Sequence, residues 1–272
     1  MPRILFPLLL LGAAACARPR LTESQEYYVG RGVAANAIAE NPLVSNADLE
    51  RYVAQVGYTI ALESDRPETF KGYSFGVLRS DSINAFAAPG GFVFVTTGAL
   101  RAMRNEDELA GVLAHEIAHV NLRHPEEAAN RASAKAGALD LLGGVAKLVV
   151  AIAYRDDPDR RETMTKLVEA FGKVLDDLAQ EVVNGYGRES ELEADRMAVD
   201  LLTRPGVGYD PGALKDFVLR LPPKDRGHWA THPTLEGRAR NIEEEIRRRG
   251  IRAEIDPVRT RRFLEATAAL RR

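Results

Sequence analysis

Apolar and polar positions alternate along this chain with two distinct periods, and the helical one dominates. Helical spacing runs near residues 25–40 and 47–63, the second stretch opened by Ser45 or Asn46 as a cap. Tyr73–Arg79 and Gly91–Thr97 read as strands, with Pro89-Gly90-Gly91 as the turn before the second. A further helix starts at Asn105, where Glu106 and Asp107 suit the positive helix end and Glu108 completes a capping box. Leu109, Val112, Leu113, Ile117 and Val120 recur there at helical spacing, and Gly111, Ala114 and Ala118 fill the other faces. Such a helix is apolar nearly all round and belongs inside the protein; Pro125 marks its stop. Leu139 to Ala153 is strongly apolar but broken by Asp140, Lys147 and Gly143-Gly144. It is too short for a bilayer span and reads as a buried or cleft-covering helix, with an interfacial helix as the alternative. A charged loop at 155–161, helical patterns at 162–184 and 189–202, and a helix opened by Asp210-Pro211 follow. From Glu243 onward the chain is rich in arginine and reads as a solvated helix. The sum is an α+β, mostly α, protein with a small sheet.

Within the buried helix lies His115-Glu116-Ile117-Ala118-His119. Residues four apart stack on one helix face, so the two imidazoles point at one place and can hold a zinc ion with a carboxylate beside them. The bland alternative makes them satisfied core histidines with Glu116 in a salt bridge. It leaves three polar groups on an apolar helix, which is costly without a metal or close partners. Catalytic zinc takes three protein ligands. A metzincin would need Gly and His where Leu122 and Pro125 stand, and His124 comes one position early and faces elsewhere. In the 189–202 helix, Glu191 and Asp195 interrupt the stripe of Ala194, Ala198, Leu201 and Leu202. Zinc gives those acids a reason: Glu191 would ligate, and Asp195 would accept the free ring N–H of a ligand histidine. A charged surface helix is the competing reading.

These segments resemble the gluzincin endopeptidases that include the CAAX prenyl protease, the heat-shock membrane protease of bacteria, and periplasmic and lipoprotein relatives. The resemblance spans Gly30 to Asn241. It rests on Asn84-Ala85-Phe86-Ala87-Ala88-Pro89-Gly90-Gly91, on Glu108-Leu109-Ala110 leading into His115-Glu116-x-x-His119, on Glu191-x-x-Ala194-Asp195, and on Thr231-His232-Pro233 followed by Arg238. It implies a zincin-type fold, with one zinc held by His115, His119 and Glu191, Glu116 as general base, Asp195 behind a ligand and His232 near the metal. The strand Phe92-Val93-Phe94-Val95-Thr96, bland as a core strand, would be the sheet edge that borders the cleft and pairs with an extended substrate. A donor for the developing oxyanion is expected from His232 or Arg238. His232 has two rival roles: a reversible fourth ligand that closes the site, or a loop histidine packed by Trp229. His228 receives no role.

Composition narrows the setting. With 272 residues and a net charge of -2, the chain has ample material for a core and no electrostatic footprint for nucleic acid. Arg3 followed by apolar Ile4–Leu11 and Ala13-Ala14-Ala15-Cys16 has the layout of a secretory signal, residues 1–15. Cys16 is the only cysteine, so no internal disulfide is possible, and its place resembles a bacterial lipidation site; plain cleavage after Ala15 is the alternative. The expected organisation is a tether over 16–25, a protease domain over 26–245 and a basic segment over 246–272. Together with the family resemblance, on which alone the quality-control role rests, it implies a zinc endopeptidase facing the periplasm, lipid-anchored to the outer membrane and acting on misfolded or misassembled envelope proteins, without the helical repeat domain some relatives carry. An envelope chaperone or assembly adaptor, and a different zinc hydrolase such as an amidase, are the alternatives.

Overall fold

The computed structural model describes residues 20–135, 172–222, 233–252, 254 and 256–271. The expected leader with Cys16, the apolar segment 139–153 and the stretch bearing His228, Trp229 and His232 lie outside them.

Two capped helices open the fold. Helix α1, Glu23–Glu40, begins with a reciprocal capping box between Thr22 and Gln25. Helix α2, Ala47–Ala61, is capped by Asn46, whose side chain accepts from the Leu49 amide. Three strands follow: β1, Ser74–Leu78; β2, Ala85–Ala88; and β3, Phe92–Thr96. Helix α3, Thr97–Ala102, leads into α4, Glu106–Asn121, and then α5, His124–Lys135. The chain is helical again over 172–184. Helices α6, Arg188–Leu202, α7, Pro211–Arg220, α8, Leu235–Arg249, and α9, Pro257–Ala266, complete it.

The sheet order is β1-β3-β2, with β1 parallel and β2 antiparallel to β3. This corrects the expectation for Phe92–Thr96: it is the middle strand, not the edge. Its continuous apolar run is what a strand buried on both faces needs. Periodicity assigned no strand to residues 85–88, between Tyr73–Arg79 and the turn at Pro89-Gly90-Gly91. That segment is the edge strand toward the cleft, where Ile83, Asn84 and Ala85 line the wall.

Side chains alternate across the sheet. Val77, Ala87, Val93 and Val95 pack on the core built by α2, α4, α6 and α7. Leu78, Phe86, Ala88 and Phe94 pack on a second core with α1, α5 and the 172–184 helix. Helix α1 closes tightly on the turn before β3, so that a Cβ on Gly30 would stand 1.7 Å from the Pro89 carbonyl oxygen. Any side chain there would push the two apart.

Helix α4 runs through the middle, buried from Glu106 to Val120 and packed against α2, α6, α7 and β2. The basic C-terminus, expected to be solvated, docks here instead. Phe263 of α9 is fully buried in the main core, and the Arg271 guanidinium donates to the carbonyls of Leu100, Arg101 and Met103. None of the described helices is long and apolar enough to cross a membrane.

Candidate metal centre

Asn105 caps α4 by accepting from the Glu108 amide at 2.9 Å. The reciprocal half of the expected capping box is absent. The Glu108 carboxylate reaches instead to the Arg104 amide and to Arg220. Two and a half turns on, α4 presents His115, Glu116 and His119 to a cavity of about 180 Å³. Helix α6 crosses α4 there and brings in Glu191 and Asp195, both buried.

His115 Nε2 and His119 Nε2 lie 3.0 Å apart, their rings nearly perpendicular. The Glu191 carboxylate is 3.5 Å from the first nitrogen through Oε2 and 3.7 Å from the second through Oε1. Two ligands at the usual distances from a tetrahedral zinc stand roughly 3.3 Å apart. Two nitrogens and a carboxylate at these separations fit such an ion, and among the described residues they are the three that converge closely enough to hold one.

The atoms turned away from this point are themselves fixed. His115 Nδ1 is 3.0 Å from Asp195 Oδ1. Asp195 also accepts two bonds from Arg238 of α8, at 2.9 Å from Nε and 2.6 Å from Nη2. Arg238 Nη1 faces Glu191 Oε2 at 3.4 Å, and the Tyr186 amide donates to Glu191 Oε1 at 3.0 Å. Arg238, an expected oxyanion donor, is therefore committed to the acids of the site. Its 3.3 Å approach to His115 Nδ1 is no hydrogen bond if that nitrogen donates to Asp195.

His124, expected to face elsewhere, is buried with its Nδ1 2.7 Å from His119 Nδ1. Arg123 turns the chain with φ 62°, which puts the first residue of α5 beneath the last turn of α4. Tyr186 packs its ring 4.5 Å from that of His119 and donates its hydroxyl to the Ala87 carbonyl of β2. The His124 contact depends on a left-handed turn, and Tyr186 carries no motif; the only hint was a third histidine five positions after the second.

Burial sets the proton affinities, and neighbouring charges decide which way each group goes. Burial and the Arg238 charge press His115 down, but Asp195 and Glu191 outweigh them and hold it up at about 9. Burial and the His115 charge carry His119 well below the ordinary histidine value. Burial and the Glu191 charge lift Glu116 to about 7, against His115, Arg238 and a backbone hydrogen bond from Ala87. Glu191 overcomes its burial through the His115 hydrogen bond and the Arg238 charge, and stays well below the carboxylate range. Asp195 is lowered too, Arg238 outweighing its burial.

Residues 47–246 match Peptidase family M48, a span that holds α4, α6 and all five of these site residues on them. The chain belongs to this family. Metalloproteases of family M48 use zinc, in keeping with the donor set above. A putative beta-barrel assembly-enhancing protease of Vibrio cholerae is 30% identical over 253 residues, 89% of this chain and 48% of that protein. The beta-barrel assembly-enhancing protease of Escherichia coli K12 is 28% identical over 84% of this chain and 45% of its own length. Metalloprotease YcaL of the same organism is 26% identical over 64% of this chain and 62% of its own length. The chain thus spans about half the length of the first two M48 relatives.

Proposed function

We propose that this chain is a zinc-dependent endopeptidase of the bacterial cell envelope, hydrolysing peptide bonds of misfolded or misassembled envelope proteins. The observation that carries the reading is the convergence of His115, His119 and Glu191 on one point, with Glu116 on the same helix facing the same cavity. Zinc, when bound, supplies a Lewis acid that polarises the scissile carbonyl and acidifies water. Glu116 takes the proton of the attacking water and delivers it to the leaving amine. Burial raises the Glu116 carboxyl above the ordinary carboxylate range, which favours its taking up and handing on a proton. Asp195 fixes the His115 ring, and Arg238 holds Asp195 and Glu191 ionised.

The cavity also supports a peptide substrate. Ala85 of the edge strand β2 lines its wall together with Ile83 and Asn84 just before it, where an extended backbone can pair, and Val112, Leu214, Phe217 and Val218 form an apolar end for a side chain. The envelope assignment rests on the leader, on Cys16 as a lipid anchor to the outer membrane, and on relatives named for β-barrel assembly. A binding-only adaptor has no use for Glu116. The purified chain should cleave casein, stop when a chelator removes its metal and resume when zinc is returned. A metal-loaded chain that binds unfolded polypeptide without cutting it would favour the adaptor.

A further inference from the structure

His119 and His124 share one proton. Two ring nitrogens at 2.7 Å repel unless a single hydrogen lies between them, so one donates and the other accepts. A His119 that ligates through Nε2 carries its proton on Nδ1, which leaves His124 Nδ1 as the acceptor. The remaining proton of His124 is then on Nε2, which points at Glu193 Oε2, 3.4 Å away on the half-exposed face of α6. The chain from the metal point to solvent runs His119, His124, Glu193.

We propose that His124 is a positioning residue for the metal centre: its Nδ1 accepts the Nδ1–H of His119 and holds that ring with Nε2 turned toward His115 and Glu191. This rests on the reading that His119 is a metal ligand. His115 has Asp195 and Arg238 behind it, whereas His119 has a neutral imidazole in that place. The Tyr186 ring lies 4.5 Å from His119 and 5.8 Å from His124 and covers both. His119 is 2% exposed, so bulk water does not reach it to serve as acceptor.

The backbone supports the same role. Arg123 is the one residue other than glycine with positive φ among those described, a conformation that costs about 1 kcal/mol. Two anchors hold it: Arg123 pairs with Glu126 at 2.8 Å, and Glu126 accepts the Leu21 amide at 2.8 Å. A regular continuation of α4 would carry residue 124 away from His119. The strained turn is what sets the two rings together.

The test compares His124→Asn, whose side-chain oxygen falls near the place of Nδ1, with His124→Leu, which fills the space without an acceptor. Zinc affinity is measured by chelator competition, the cobalt-substituted protein is followed by its visible spectrum, and thermal unfolding is recorded without metal. His124→Leu should bind zinc about 10–100-fold more weakly with an altered cobalt spectrum, and His124→Asn should recover most of the loss. Should His124→Leu unfold, His124→Gln replaces it, since its amide reaches the Nε2 place and leaves Nδ1 without a substitute. The inference is overturned if the acceptor-free variant keeps wild-type affinity, or if Asn falls as far as Leu. His119→Ala separates the two readings: retained zinc there sinks His119 as a ligand, whatever His124 does.

Discussion

The two ends of α4 each bury acids, and they do so in opposite ways. At the N-terminus, Glu106, Asp107 and Glu108 are almost wholly shielded from water, yet each has its own cationic partner. Glu106 accepts from the Tyr52 and Tyr209 hydroxyls and pairs with Arg262; Asp107 meets Arg259 and the Asp210 amide; Glu108 meets Arg220. The helix dipole favours negative charge at that end as well. Ten residues on, two imidazole nitrogens and the Glu191 carboxylate face one another, while Arg238 serves Asp195 and Glu191 from behind. Lone pairs turned toward lone pairs need a metal cation or a shared proton between them. Burial of acids alone therefore does not separate structure from chemistry. The direction in which the donor atoms face does.

The sharpest way to break this contrast is at Glu116. Glu116→Gln should lower peptide hydrolysis by about 10²–10⁴-fold while zinc content stays at wild-type level; full activity would remove it as the base. Next comes the metal itself. Chelator should lower the wild-type unfolding free energy by about 3 kcal/mol, the linkage expected when metal stands near a hundred times its dissociation constant. Glu191→Ala should bind no zinc and show no chelator effect, and an unchanged zinc content would mean that the wrong acid was chosen. Arg262→Ala probes the other end. It should cost about 1–3 kcal/mol in denaturant unfolding, because Glu106 keeps its two phenol donors, with zinc binding unaltered. Loss of metal in that variant would show that the two ends are not separable.

The smallest effect is expected at Glu245, another acid satisfied by arginines. Its carboxyl is lowered to about 2, first by the Arg248 hydrogen bond and then by that of Arg249, against the effect of burial. A carboxyl lowered by folding stabilises the protein above its unfolded value, and that contribution fades as pH falls toward about 2. Arg248 is two-thirds exposed, so solvent screening limits the term to about 1 kcal/mol or less. Glu245→Gln should flatten the acid limb of a pH–stability curve by that amount and leave neutral stability lower; an identical limb in both proteins would deny the pairing any weight.

Much of this was legible beforehand, because it is local. The helical period of 105–121 and the cap at Asn105 are short-range properties, as is the one-turn spacing of His115 and His119. Glu191 and Asp195 stood out because acids interrupt an apolar stripe, and a buried charge demands a partner. The Phe92–Thr96 run was legible as a strand, but its place in the sheet was not. Period and β-propensity say that a strand is buried on both faces; they do not say which neighbours flank it.

The sequence by itself determined the longer helices, the caps at Asn46, Asn105 and Asp210, the paired imidazoles and the acids that needed an explanation, since each follows from spacing within a few residues. Only the tertiary structure decided that β2 is the edge toward the cleft, that α9 clasps the start of α4, that Arg238 is tied to Asp195, and that His124 stands behind His119. Those contacts join segments far apart in the chain or turn on one left-handed residue. Periodicity holds no record of them, because packing free energy is settled by which surfaces meet, not by the order in which residues are written.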